Sequence, residues 1–316
     1  EAVIASGGIL GVHILGELSG PPRIGHLFQY APENQIERFL KPVCKADKAV
    51  CFALTEAEAG SDAAAIQASA RKTDGGYIIN AQKRYISGAT YADFAVLLAV
   101  TDPDKGAKGI SAFFVDLSST GCRVEEDYEV MSGAGMHGDV ILEDVFVPDE
   151  SLIGAEGVGF KLGMSRITIN RLLHCATMLG YGRLALEQSI SHATKRVQFG
   201  RSISQFQAIQ HMLANMGTEL YAARSMMFDT AHKHDQKCDI RMEASMCKLL
   251  CSETAFRAVD NAVQVHGGVG LMKGSAVEFL FRVLRMYRIL TGTSEIQRNT
   301  IAKSMLKNAQ ATNLES

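Results

Sequence analysis

No apolar run in the sequence approaches the roughly 20 residues that a membrane-spanning helix needs, so no span is expected. The amino terminus also lacks a basic-then-apolar leader pattern. Net charge is small, −2 with a pI near 6.6, which removes the overall electrostatic case for nucleic acid or an anionic membrane as partner. The seven cysteines (Cys44, Cys51, Cys122, Cys175, Cys238, Cys247 and Cys251) are odd in number and scattered, so a disulfide framework is not expected. Cys247 and Cys251 lie four apart in a helical pattern, but no histidine stands close by in sequence to complete a zinc-type set, and no metal is expected. The thiols read as reduced, in a cytoplasmic protein or, in a eukaryote, one of the mitochondrial matrix. Tryptophan is missing altogether, so any flat aromatic cover for a ligand falls to tyrosine or phenylalanine.

What is present falls into three textures. Residues 1–48 read as an incomplete helical region. "EAVIASGGILGVHILGEL" is apolar and broken by glycine, and "PENQIERFLKPV" reads as a short amphipathic helix begun by Pro32 and ended before Pro42. The opening begins in mid-pattern without a cap, so further helices are expected upstream. Residues 49–155 read as a β-module. Asp74-Gly75-Gly76 marks a hairpin, "FAVLLAV" and "SAFFVDL" suit buried strands, and "DVILEDVFVP" alternates up to Pro148. No long helix separates these runs, which favours a small barrel or sandwich over βαβ units.

Residues 156–316 read as an up-and-down bundle of four helices. One helix places Ile209, Met212, Leu213, Met216 and Leu220 on a single face; another does so with Met246, Leu249, Leu250, Phe256, Val259 and Val263, and stops at Gly267-Gly268. The methionines at these spacings read as core filler. The fold class expected is therefore α+β, mostly α: N-terminal helices, a central β-module and a C-terminal bundle.

That order, together with five segments, resembles the acyl-CoA dehydrogenase family of flavoproteins, over nearly the whole chain from about residue 20. "LTEAEAGSD" (residues 54–62) is similar to a family loop beside the flavin ring, with Ala57 where a proline is usual; the resemblance assigns Thr55 to the flavin and Ser61 to both cofactor and substrate. "KRYISG" (83–88) would lay Tyr85 against the flavin and aim the Ser87 hydroxyl at it. "KRVQFGRSISQFQAIQ" (195–210) would bring Arg196 to the FAD diphosphate, where a guanidinium fork suits the charge, with Phe199 and Gln207 nearby. "QVHGGVG" (264–270) would reach the FAD of a neighbouring subunit through Gln264, Gly267 and Gly268, and "GTSEIQR" (292–298) would meet the adenosine end through Thr293 and Glu295. The resemblance thus implies FAD, an acyl-CoA substrate, an electron-transfer flavoprotein as acceptor, and a homodimer or homotetramer.

The departures concern catalysis. Oxidation of an acyl-CoA between Cα and Cβ needs a base for the α-proton. The family places a glutamate either immediately before "GTS" or before an arginine of the first long helix. Thr291 and Asn170 occupy those positions here, and neither can act as a base near neutral pH. Arg171 and Gly292 remain as expected substrate contacts. His174, one turn beyond Asn170 on the same helix face, is a candidate relocated base. Two other readings stay open. One is different chemistry on the same scaffold, such as flavin monooxygenation or elimination of a sulfinate from an acyl-CoA. The other is a non-catalytic partner subunit. His137 also stands where the family has an arginine, and Val283 where an aspartate is common.

Overall fold

The computed structural model of the chain describes residues 24–125, 128–134 and 137–314. The expected helix "EAVIASGGILGVHILGEL" lies outside the described residues. The described chain forms two compact units, one ending at Ile167 and the other beginning at Thr168.

The first unit opens with helical pieces. The "PENQIERFLKPV" helix does not stop before Pro42: it is α-helical over Glu33–Gln35, widens into a π-turn over Ile36–Leu40, and resumes as α-helix over Lys41–Cys44. Pro42 sits in the first turn of the resumed piece, where its missing N–H costs nothing. The π-turn is the local irregularity that lets the helix run through it. Gln35, buried, donates from Nε2 to the carbonyls of Glu150 and Leu152, both at 2.7 Å, which fixes the helix to the turn after the last long strand.

The seven strands of the main sheet are β1 (Val50–Ala53), β2 (Ser69–Thr73), β3 (Gly76–Ser87), β4 (Phe94–Val100), β5 (Ile110–Asp116), β6 (Cys122–Glu125) and β9 (His137–Pro148). They run in the order β1-β4-β2-β3-β9-β6, with β5 also paired to β4. A separate two-stranded ladder joins β7 (Glu129–Val130) to β8 (Gly133–Ala134). The Asp74-Gly75 turn closes the β2–β3 hairpin with Thr73 opposite Gly76, and Gly75 takes φ +74°. Gly76 must be glycine for another reason: a Cβ there would lie 2.3 Å from the Val147 carbonyl oxygen on β9.

Strands β4 and β5 are unbroken apolar runs because both of their faces are covered. Phe94, Val96, Leu98, Ile110, Ala112 and Phe114 point to one core with Phe39, Leu40 and Leu162. Phe39 stacks on Phe114 at 4.4 Å between centroids. The alternate residues Ala95, Leu97, Ala99, Phe113 and Val115 face the inside of the curled sheet, against Tyr77, Ile79 and Val145.

The second unit is helical. Helix α1 (Gly159–Lys195) begins in the first unit and continues here; α2 (Gln207–Asp235), α3 (Arg241–His266), α4 (Ala276–Met286) and α5 (Ser294–Leu314) follow, with a hairpin of β10 (Val197–Gln198) and β11 (Arg201–Ser202) before α2. Helix α3 packs on α2, α4 and α5. It ends at Gly267, whose φ of +59° only glycine adopts without strain. The buried face of α3 differs from the expected one. Ala244, Cys247, Cys251, Ala255, Ala258 and Ala262 are buried with Val259, while Met246, Leu249, Leu250, Phe256 and Val263 are half-buried. A helix enclosed by several others needs small residues where backbones come close, and its large side chains fill the oblique gaps. No helix among the described residues is long and apolar enough to cross a membrane.

Candidate active site

In the sheet unit, the loop after β1 is tied from below by a buried ion pair. Lys83 on β3 is fully buried and donates from Nζ to the Leu54 carbonyl at 3.1 Å and to Glu56 Oε1 at 2.7 Å. The Glu56 carboxylate also accepts from the backbone N–H of Gln67 (2.6 Å) and Ala68 (3.0 Å). Burial pushes Lys83 down to about 8, against the pull of Glu56. Arg84 N–H then donates to the Thr55 carbonyl at 2.8 Å, so Thr55 is held against β3, while Gly60, Ser61 and Asp62 stand exposed. Glu56 and Lys83 lie within the two motifs that single out this region, but nothing in the sequence says that they meet.

The ladder between β3 and β9 breaks between Lys83 and Ile86, and this bulge turns Tyr85 outward. Tyr85 has φ +57° and is 56% exposed. Its N–H donates to Asp139 Oδ1 at 3.2 Å, and Asp139 Oδ2 accepts from the Tyr128 hydroxyl at 3.0 Å. The Tyr128 ring meets Tyr85 edge-on at 4.9 Å, and the Arg84 guanidinium lies 5.0 Å from the Tyr85 centroid. Ser87 follows at the end of the strand, opposite His137. The result is a propped aromatic ring facing outward, with a hydroxyl two residues on.

In the helical unit, α1 buries Asn170, Arg171 and His174, at 6%, 7% and 5% exposure. The loop between α4 and α5 brings Thr291 to them: its hydroxyl lies 2.7 Å from His174 Nδ1, and the His174 ring meets Tyr287 edge-on at 5.4 Å. Arg171 Nη1 donates to the Ser245 hydroxyl at 2.9 Å, burial pushes the guanidinium down to about 10, and its Nε has no hydrogen-bond partner among the described residues. Thr291 adopts φ +56° and Gly292 +91°. A β-branched residue in the left-handed region is a true outlier, held only by its surroundings. Those surroundings are polar. Gln297 Nε2 donates to the carbonyls of Gly292 (2.9 Å) and Thr291 (3.3 Å), and Lys248 Nζ donates to Gly292 at 2.8 Å. Glu253 Oε1 accepts from Arg288 Nε (3.0 Å) and the Ser294 hydroxyl (2.7 Å). Thr293 Oγ1 accepts from Ile296 N–H and begins α5, with Glu295 exposed in its first turn. A Cβ on Gly292 would lie 3.6 Å from Arg171 Nη2 and 2.8 Å from Gln297 Nε2, which could shift, but the φ of +91° strains any residue other than glycine there.

A second group of expected residues gathers at the far end of α1. Arg196 lines an open cavity of about 390 Å³ with Gln188, Ser191, His192, Lys195 and His266. His192 and His266 stack at 4.4 Å. The cavity therefore joins the "KRVQFG" segment to the end of α3, where Gln264, Gly267 and Gly268 are exposed. A Cβ on Gly268 would touch nothing within 4 Å, so its smallness serves no packing inside this chain. Phe199, at the tip of the β10–β11 hairpin, is 94% exposed with φ +51°, and Gln207 is exposed at the start of α2. Lys248, Gln297, Glu253 and the paired His192 and His266 escaped the sequence reading. Lys248 had one weak signal, a charge among the apolar residues of α3.

A model of the acyl-CoA dehydrogenase middle domain matches residues 51–145, and one of the acyl-CoA dehydrogenase C-terminal domain matches residues 157–306. The chain is 37% identical over 312 residues to a 3-(aryl)acrylate reductase of Clostridium sporogenes, covering 97% of this chain and 81% of that one. It is 39% identical over 293 residues to the CarC subunit of the caffeyl-CoA reductase–Etf complex of Acetobacterium woodii, covering 92% and 77%. The structure of butyryl-CoA dehydrogenase from Megasphaera elsdenii superimposes with a TM-score of 0.86 at 32% identity, over 89% of this chain and 74% of that one.

Proposed function

The chain belongs to the acyl-CoA dehydrogenase family, and from that premise we propose that it is an FAD-dependent oxidoreductase of acyl-CoA thioesters, exchanging a hydrogen pair between Cα and Cβ. Its electron partner is an electron-transfer flavoprotein, in keeping with the Etf complex to which one relative belongs. The observation that carries the mechanism is the 2.7 Å contact between the Thr291 hydroxyl and His174 Nδ1, at the position where the family places its base.

The residues present fit FAD. Arg196, Lys195, His192 and His266 around one open cavity supply the cationic and N–H donors that a diphosphate needs. Tyr85 offers an exposed ring, with Thr55 and Ser87 as its polar neighbours on the same unit. Gly267 and Gly268 leave backbone bare for close approach, and Gln264, Phe199 and Gln207 stand exposed, ready for a cofactor shared with a second subunit. Exposed Phe199, Val269, Leu271 and Met272 support self-association as a dimer or tetramer. FAD, when bound, supplies the two-electron partner for the β-hydrogen.

The chain's own residues handle the other hydrogen. In oxidation, the α C–H bond breaks and its proton bonds to Thr291 Oγ1, while the hydroxyl's original proton passes to His174 Nδ1. The electron pair left at Cα becomes the new double bond as the β-hydrogen departs as hydride. Threonine ends neutral and histidine ends as imidazolium, which requires the starting tautomer with its proton on Nε2. The hydroxyl is therefore a relay and His174 the base. Reduction of an enoyl thioester uses the same atoms in reverse. Arg171, buried beside Gly292, and Ser61, exposed on its loop, are the proposed substrate contacts; Asn170 packs one turn before His174 and takes no proton.

The test is anaerobic addition of a panel of saturated and α,β-unsaturated acyl-CoAs to the oxidised and reduced holoprotein, following the flavin bands. Wild type is expected to react with at least one thioester. His174→Ala should slow that reaction by roughly 10²–10⁴-fold with FAD content unchanged. An unaltered rate in His174→Ala moves the base elsewhere. A wild type that holds FAD but reacts with no thioester favours the partner-subunit reading instead.

A further inference from the structure

Lys248 is a buried charge near Thr291 whose presence the proton relay does not explain. It lies on α3 with no exposure to solvent, among Ala244, Cys247 and Cys251, where a chain that only needed to fill space would carry a methionine or leucine. Burying an ammonium is costly unless a partner repays it. Its Nζ donates to the Gly292 carbonyl, 44 residues away, at 2.8 Å. The same oxygen accepts from Gln297 Nε2 at 2.9 Å, so both of its lone pairs are taken. This carbonyl belongs to the second of two consecutive residues in the left-handed region, Thr291 and Gly292. Thr291 does not hold that shape by preference, since its branched Cβ crowds its own backbone there. Something outside the loop must fix it.

We propose that Lys248 is a positioning residue for the proton relay: together with Gln297 it grips the Gly292 carbonyl and so keeps the Thr291 hydroxyl on His174. A charged donor holds a carbonyl about twice as firmly as a neutral one, which accounts for an ammonium rather than an amide on the α3 side. Glycine suits position 292 because its φ of +91° strains any residue that carries a Cβ. The ammonium never touches substrate. It acts through one peptide unit, and a displacement of that unit by about 1 Å would cost on the order of 10²-fold in rate.

The proposal rests on the relay described above, so its test has an arm that does not depend on turnover. Histidine labelled with 15N is incorporated into the holoprotein, and the His174 imidazole signals are assigned by their loss in His174→Gln. Lys248→Met, which keeps bulk and removes the donor, is expected to move the Nδ1 signal toward its value in Thr291→Val. Gln297→Leu opens the other half of the grip and should move it the same way, which covers a Lys248→Met protein that does not fold. In the activity arm, Lys248→Met lowers the flavin reaction on the order of 10²-fold in wild type, with little change in KM, and has no further effect when added to Thr291→Val. An Nδ1 signal unmoved in folded Lys248→Met, or a full loss of rate on top of Thr291→Val, overturns the proposal. If wild type reacts with no thioester, the function reading fails while the nitrogen signals still decide whether the grip exists.

Discussion

Thr291→Val and Thr291→Gly separate strain from hydrogen bonding at the relay. Both remove the hydroxyl that lies 2.7 Å from His174, a half-buried contact whose loss costs about 1–1.5 kcal/mol. Valine keeps the branched Cβ at φ +56° and therefore keeps the left-handed penalty of roughly 1–2 kcal/mol. Glycine releases that penalty but makes the unfolded chain more flexible, which costs about 0.5–1 kcal/mol. The glycine variant should thus be as stable as the valine variant or more stable by up to about 1.5 kcal/mol, the reverse of the order at an ordinary half-buried position. Urea melts of the holoprotein read the difference, at one fixed FAD concentration because bound cofactor adds stability by mass action. For a unit of this size a kilocalorie corresponds to roughly 2–4 °C in Tm, so thermal scans resolve it as well. Both variants should lose proton transfer alike. A glycine variant less stable than the valine variant by about 2 kcal/mol or more would show that the backbone at Thr291 is not strained.

Glu56→Ala should destabilise the sheet unit by about 3–5 kcal/mol, because it strands the Lys83 ammonium in a fully buried position, whereas Lys83→Met should cost much less; equal losses in urea melts would contradict this. Alkaline stability follows from two opposed sets of buried groups. Lys83 and Lys248 sit near 8 in the fold and near 10.4 unfolded, so between those values the unfolded chain holds more protons and their contribution rises with pH. Burial raises the thiols of Cys51 to about 12 and Cys247 to about 11, and Cys175 well above its usual range, so their contribution is lost as pH climbs past about 8.5. Cys122, also raised to about 11 by burial, makes four thiols against the two lysines and Arg171, itself lowered to about 10. The balance is a net loss of stability between about pH 9 and 10, and Cys51→Ala should lessen it; a wild type that gains stability over that interval would refute the balance.

The turn, strand and helix-stop segments were legible because their signals are local. Asp74-Gly75 announces a turn by backbone chemistry alone, "FAVLLAV" announces a strand buried on both faces, and Gly267-Gly268 ends a helix, each within a few residues. The motifs around Thr55, Tyr85, Arg196, Gln264 and Thr293 pointed to the family by resemblance, and against that family's pattern Thr291 and Asn170 stand where a carboxylate is usual. The face that α3 turns inward was misread, since large apolar side chains dominate a periodicity count. An enclosed helix puts its small residues innermost. Likewise Pro42 gave a stop signal that a π-turn upstream made harmless.

Composition and spacing therefore determined which stretches are helix or strand, while the resemblance of five motifs to a known family pointed to the cofactor and to the positions without a carboxylate. What only the tertiary structure decided is who meets whom: Thr291 with His174 across 117 residues, Lys248 with Gly292 across 44, Lys83 with Glu56 across 27. Each of these contacts joins elements whose partners are chosen by packing of the whole unit. A hydroxyl or an ammonium carries no mark in sequence of the lone pair it will face, because that lone pair arrives only when the distant chain has been folded against it.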